Sequence, residues 1–127
     1  FMQGKRSGQE NKRQIGAKYE IVAAEYLSRQ GYEILERNYR NSYGEIDLVG
    51  KEDETLVFVE VKYRGTKNYG DPLEAVDVRK QRKICKTAFY YYVNHGYEEG
   101  VPCRFDVIAI DADEKIRHIR NAFEFRL

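Results

Sequence analysis

Residues 44–64 constrain the fold of this chain more than any other stretch. Glu45–Gly50 and Thr55–Arg64 both alternate apolar and polar side chains with the period of two that a strand requires. Only the polar Lys51–Glu54 separates them, so they pair as an antiparallel hairpin with Asp53-Glu54 at its tip. Counting outward sets Val49 opposite Phe58, Asp47 opposite Glu60 and Glu45 opposite Lys62. An even-length loop keeps this register, and an odd loop or a bulge shifts it.

In that register one face holds Ile46, Leu48, Val57, Val59, Val61 and Tyr63, a core surface. The other presents Glu45, Asp47, Glu60 and Lys62 as a compact patch. Two carboxylates placed opposite each other repel. A divalent cation turns that cost into binding energy, and Mg²⁺ takes one or two carboxylates plus waters and substrate phosphate. Lys62, two residues after Glu60, shares its face; an ammonium there orients a water and offsets charge developing on phosphorus. A Glu-Val-Lys run on an amphipathic strand is ordinarily a solvated ion pair. The opposed Asp47 is what lifts it toward metal-assisted phosphodiester hydrolysis.

The rest of the chain places this hairpin in an α/β frame. Residues 1–14 are polar and without periodicity, which predicts a mobile basic arm (Lys5, Arg6, Lys12, Arg13) ahead of one domain over 15–127. Ile15, Tyr19, Val22, Ala23, Tyr26 and Leu27 follow helical spacing up to a stop at Gly31. Tyr32–Tyr39 reads as a first strand, ended by Asn41-Ser42-Tyr43-Gly44. After a loop from Gly65 to Pro72, a second helix starts at Asp71, with Pro72 at its first position, or at Asp77, and runs to Gly96. Arg104–Ile110 is a strand, and Ile116–Leu127 adds another. A helix between the third strand and Arg104–Ile110 is a crossover that makes those two strands parallel.

Composition excludes more than it identifies. With 127 residues, 42% hydrophobic and 34% charged, the chain has the make-up of one globular domain. No apolar run approaches the ~20 residues of a membrane span and no signal peptide is visible, so a cytoplasmic protein is expected. Cys85 and Cys103 stand alone, which fits neither a zinc site nor a disulfide framework; both read as small buried hydrophobes. His95 and His118 are equally isolated, so nothing supports triad chemistry. The net charge of +1, from 22 Lys+Arg against 21 Asp+Glu, does not announce nucleic acid. Arg79, Lys80, Arg82, Lys83 and Lys86 do crowd the start of the second helix. At ~100° per residue four of them share a broad stripe, and Lys80 is rotated toward a neighbouring face.

Gly44-Glu45-Ile46-Asp47-Leu48-Val49 and Val57-Phe58-Val59-Glu60-Val61-Lys62-Tyr63-Arg64 resemble the YraN-like family, an uncharacterised group related to Holliday junction resolvases. The likeness extends through Gly16–Leu27, Gly31-Tyr32, Glu36–Arg40, Val76-Asp77 with Lys80-Gln81, and Arg104–Ile108. The resemblance implies a restriction-endonuclease-like fold, a mixed β-sheet flanked by helices in the order α-β-β-β-α-β-β. It also implies that Asp47 and Glu60 hold Mg²⁺ or Mn²⁺, that Lys62 assists a water, and that Glu20 on the first helix joins the catalytic set. Gly16 and Ala24, one turn to either side of Glu20, would let its carboxylate approach the sheet. Ile46, where the wider superfamily has proline, is shared by resolvase-like members.

A nuclease acting on branched or structured DNA is the expectation that follows, with products ending in 5′-phosphate and 3′-hydroxyl by resemblance. Arg64, Lys80 and Arg40 are the residues expected to contact DNA, and resolvase kinship implies a homodimer. The alternative is a nucleic-acid-binding or interaction module of the same fold with little activity. Facing carboxylates, which repel phosphate, favour the enzyme. A hydrolase of another phosphoester is a third option.

Overall fold

The computed structural model describes residues 7–65 and 76–127, with side chains from residue 14 onward. The arm residues Lys5 and Arg6, the side chains of Lys12 and Arg13, and the helix start at Asp71-Pro72 lie outside the described residues.

Seven elements follow in order: α1 (Ser7–Arg29), β1 (Glu33–Asn41), β2 (Gly44–Glu52), β3 (Thr55–Arg64), α2 (Val78–Asn94), β4 (Cys103–Asp111) and β5 (Ile116–Phe123). This is the α-β-β-β-α-β-β order expected. α1 begins at Ser7, so part of the segment read as an arm is helix. The Gln, Glu, Lys and Arg residues there have good helix propensity, although nothing apolar marks the turn they make. Gly31, at φ +96°, ends the helix, and the Tyr32 N–H closes it by donating to Leu27 O at 3.0 Å. Asp77 is the N-cap of α2, accepting from the Lys80 N–H at 2.9 Å.

The strands lie in sequence order across one five-stranded sheet. β3 and β4 are parallel, as the α2 crossover requires, and every other neighbour is antiparallel. α1 covers one face, packing Tyr19, Ala23 and Leu27 on Leu48, Val57, Val59, Ile108 and Ile110. α2 covers the other, packing Ile84, Cys85, Ala88 and Tyr91 on Ile46, Val49, Phe58, Phe105 and Val107. The hairpin therefore does not have one core face and one polar face. Both faces of β3 are buried until its last third, where polar side chains take over.

Cys85 is buried as expected, but Cys103 is exposed at the start of β4, so it is no core hydrophobe. Nor is His118 isolated. It belongs to a network around Asp106, which is 1% exposed on the α1 side of β4. His118 Nε2 donates to Asp106 Oδ2 at 2.7 Å and Arg104 Nε to Oδ1 at 3.0 Å, while the Asn121 N–H reaches Oδ1 at 3.0 Å. Tyr32, Arg120 and Glu52 extend the network to β1 and β2. Burial by itself raises the pKa of Asp106, but these donors outweigh it and hold the carboxyl below its ordinary value. The arrangement ties β4 and β5 to the start of β1. Replacing Asp106 by alanine leaves Arg104 with Glu52 but removes the acceptor of His118 Nε2 and of the Asn121 N–H, and a loss of about 2–4 kcal/mol is expected, read as a lower urea midpoint at unchanged slope.

Candidate active site

The site forms where β2 and β3 part company. Their ladder runs from Glu52↔Thr55 through Val49↔Phe58 to Leu48↔Val59 and there it ends. The Val49↔Phe58 register is the one expected from the sequence. The pairs Asp47↔Glu60 and Glu45↔Lys62 do not form, and the side-chain alternation of β2 slips at Asp47. Regular alternation would place Ile46 beside Leu48; instead Leu48 packs against α1 and Ile46 packs with Val49 and Phe58 on the α2 side. β1 bends at the same level, with Asn38 in the left-handed region at φ +56° between Arg37↔Leu48 and Tyr39↔Ile46.

The slip turns the Asp47 carboxylate into the opening seam, where Oδ2 accepts the Val61 N–H of β3 at 2.8 Å. The one-face patch is thereby corrected to a seam approached from both sides. Glu60 points to the α2 side and is 7% exposed. Its Oε2 pairs with Lys62 Nζ at 3.3 Å and with Lys80 Nζ, from the first turn of α2, at 3.4 Å. Glu20 comes from α1, its carboxyl close enough to Asn38 and Asp47 for both to act on its charge. A Cβ at Gly16 would meet nothing within 4 Å, so Gly16 is not what admits Glu20 to the sheet. Ala24, 8% exposed, does pack in the interface.

Burial first, and then the charge of Glu60, push the Asp47 pKa up to about 8, with Glu20 and Glu45 adding to the rise and the Val61 N–H opposing it. Glu20 is raised as well, chiefly by burial. Asp47 and Glu20 are thus short of nearby positive charge, the condition under which a carboxylate gains most from a cation. Among the described residues no three Asp, Glu, His or Cys side chains stand close enough to hold an ion by themselves. Asp47 and Glu60 are two oxygen donors, which is the number of protein carboxylates an open Mg²⁺ or Mn²⁺ site uses, the remaining positions being taken by water and phosphate.

Of the residues expected to meet DNA, Lys80 is already in the site through Glu60. Arg64 ends β3 on the strand face of Glu60 and Lys62, opposite Asp111 in the register. Arg40 lies on the exposed turn side of β1, 3.7 Å from Glu45. Reading the sequence did not single out Asn38, whose positive φ leaves no local mark, or the α2-side role of Lys80 as a partner of Glu60. An aromatic cavity of about 430 Å³ lined by Phe58, Tyr92, Phe105 and Phe123 lies toward the other end of β3 and β4, and it holds none of these carboxylates.

Fold and site together define a three-layer α/β protein with a lysine-flanked acidic centre at a split in its sheet. The family model described as Uncharacterised protein family UPF0102 matches residues 19–110, which include every residue of the site, and the chain belongs to that family. This is the YraN-like group to which the sequence motifs pointed. A UPF0102 protein of Lachnoclostridium phytofermentans is 52% identical over 114 residues, covering 90% of this chain and 96% of the relative. Those of Vibrio parahaemolyticus and Caldanaerobacter subterraneus are 47% and 44% identical, over 88% and 89% of this chain and 93% and 97% of the relatives. Among solved structures, Pyrococcus furiosus SfsA in complex with Ca²⁺ aligns at a TM-score of 0.35 and 14% identity, over 84% of this chain and 62% of that one, too loosely to bear on function.

The raised Asp47 pKa has a definite sign for stability. A carboxyl that binds its proton more tightly when folded contributes stability that is complete below the unfolded value of about 4 and lost as pH rises toward 8. Asp47→Asn keeps an oxygen for the Val61 N–H and removes the titration. Without metal, the variant and the wild type should melt alike near pH 3.5, and by pH 8 the variant should melt higher by at least about 4 °C. A gap that does not widen with pH would refute the assignment.

Proposed function

We propose that this protein is a divalent-metal-dependent nuclease that hydrolyses phosphodiester bonds in branched or otherwise structured DNA. The observation that carries the reading is the half-buried Asp47 beside the buried Glu60, at a split in the sheet and flanked by Lys62. Asp47 and Glu60 hold Mg²⁺ or Mn²⁺, which supplies Lewis-acid stabilisation of the phosphate. The ammonium of Lys62 orients the attacking water and offsets charge growing on the phosphate oxygens. Glu20, whose pKa is raised, takes a proton from that water in this reading. Water oxygen bonds to phosphorus as the bond to the 3′ oxygen breaks, leaving 5′-phosphate and 3′-hydroxyl ends. Arg64, Lys80 and Arg40 position the backbone without reading sequence.

One observation favours the second reading, a binding module of the same fold. Glu60 already has two lysines on one oxygen, so the apo site is partly neutralised without an ion. Among the described residues no helix is long and apolar enough to cross a membrane. A homodimer matches the two-fold symmetry of a four-way junction.

Linear, flapped and four-way DNA incubated with Mg²⁺ or Mn²⁺ separates the two readings. Cleavage by the wild type and a loss of at least about 10²-fold in Asp47→Ala and in Lys62→Ala are expected for the nuclease. Binding without cleavage of any substrate, under either metal, would establish the module instead. In both cases Arg64→Ala should weaken binding across all sequences and flatten its salt dependence. Millimolar Mn²⁺ should raise the melting temperature of the wild type and leave Asp47→Ala unmoved, because an ion that binds only the folded state stabilises it by mass action.

A further inference from the structure

The β1–β2 turn carries an exposed aromatic stack that the carboxylate site does not use. Tyr43, 36% exposed, stacks on Tyr90 of α2 with centroids 4.3 Å apart and planes 11° from parallel. Lys86 Nζ lies 4.7 Å from the Tyr43 ring centroid, and Phe89, 41% exposed, packs edge-on against Tyr90. The turn is fixed in place. The Tyr43 N–H donates to Asn41 Oδ1 at 2.8 Å, and Asn41 Nδ2 donates to Thr87 O at 3.3 Å. Gly44 approaches so closely that a Cβ there would stand 2.9 Å from Thr87 Oγ1.

The stack is in line with the site. Lys80, Lys83, Thr87 and Tyr90 recur at three- and four-residue spacing along one side of α2. Lys80 at one end of that row holds Glu60, and Tyr90 at the other holds Tyr43. Ten residues of helix separate them by about 15 Å, a span of a few nucleotides. Cations between two such points, and exposed rings at the far one, are the parts that a single-stranded binding surface combines. Paired bases cannot stack on a tyrosine because their faces are already covered.

The geometry points to Tyr43 and Tyr90 as a stacking platform for an unpaired nucleobase a few nucleotides from the scissile phosphate, with Lys86 passing from the ring to the strand's phosphate. The inference rests on the nuclease reading and narrows its substrate to a strand that leaves a duplex, as at a flap or junction. A nucleobase is favoured over another apolar ligand by charge complementarity. The neighbouring side chains on the solvent side, Arg82, Lys83 and Lys86, are basic, which suits a polyanionic strand.

The test is binding without added divalent metal. The probe is a flapped duplex carrying 2-aminopurine in its single-stranded arm, compared with a fully paired duplex of the same sequence. Wild type should quench the 2-aminopurine and prefer the flap. Tyr43→Ala and, independently, Tyr90→Ala should abolish the quenching and weaken flap binding by about 5- to 50-fold, while Tyr43→Phe retains both. Duplex affinity should stay unchanged in all three, which separates a lost platform from a damaged fold. Repeating the assay with an RNA arm assigns the sugar, and an effect on either strand supports the platform. Equal flap affinity and quenching in wild type, Tyr43→Ala and Tyr90→Ala would overturn it. The nuclease reading stands or falls separately, on cleavage by wild type against Asp47→Ala.

Discussion

The hydrogen bond from the Val61 N–H to the Asp47 carboxylate is the contact on which the rest of the site depends. It takes the place of further pairing between β2 and β3, and so it marks where the two strands separate. The break in alternation at Asp47 also lets Leu48 enter the core under α1 while Ile46 enters the core under α2. A regular strand could not do this, because its period of two keeps residues 46 and 48 on one side. The seam is thus the cost of filling both cores from a short strand, and the acidic centre occupies it.

Two desolvated acids in this protein are treated in opposite ways. Asp106 is almost wholly enclosed, yet His118, Arg104 and a backbone N–H surround it, and its pKa lies below the ordinary value. Asp47 is half-buried, with one backbone N–H for a donor and other carboxyls for neighbours, and its pKa rises. Desolvation acts on both in the same sense, so the sign is decided by what faces the carboxylate. A satisfied acid rigidifies the frame that joins β1, β4 and β5. An acid with a single donor and acidic neighbours is the one whose charge state responds to pH and to any positive charge brought to the seam.

Much of the frame was legible in the residues because its signals are local. Period-two alternation marked β2 and β3, helical spacing marked α1, and the crossover rule made β3 and β4 parallel from chain order alone. The Val49↔Phe58 register was legible for the same reason, since a hairpin with a two-residue tip sets it by counting. The count failed beyond Leu48. A slip depends on which of two cores a side chain fills, and no periodicity in Gly44–Gly50 records that choice. His118 and Cys103 were misjudged on similar grounds, since a lone residue in the sequence says nothing about partners brought from other strands.

The sequence by itself determined the order of elements, the hairpin tip and the acidic and basic residue types at the site, because these follow from patterns spanning a few residues. Only the tertiary structure decided that Asp47 turns into the seam, that Lys80 reaches Glu60 from another element and that Glu20 closes in from α1. These contacts join residues 14 to 27 positions apart across three layers. Their geometry is set by how both helices pack on the twisted sheet, and packing is a property of the whole fold.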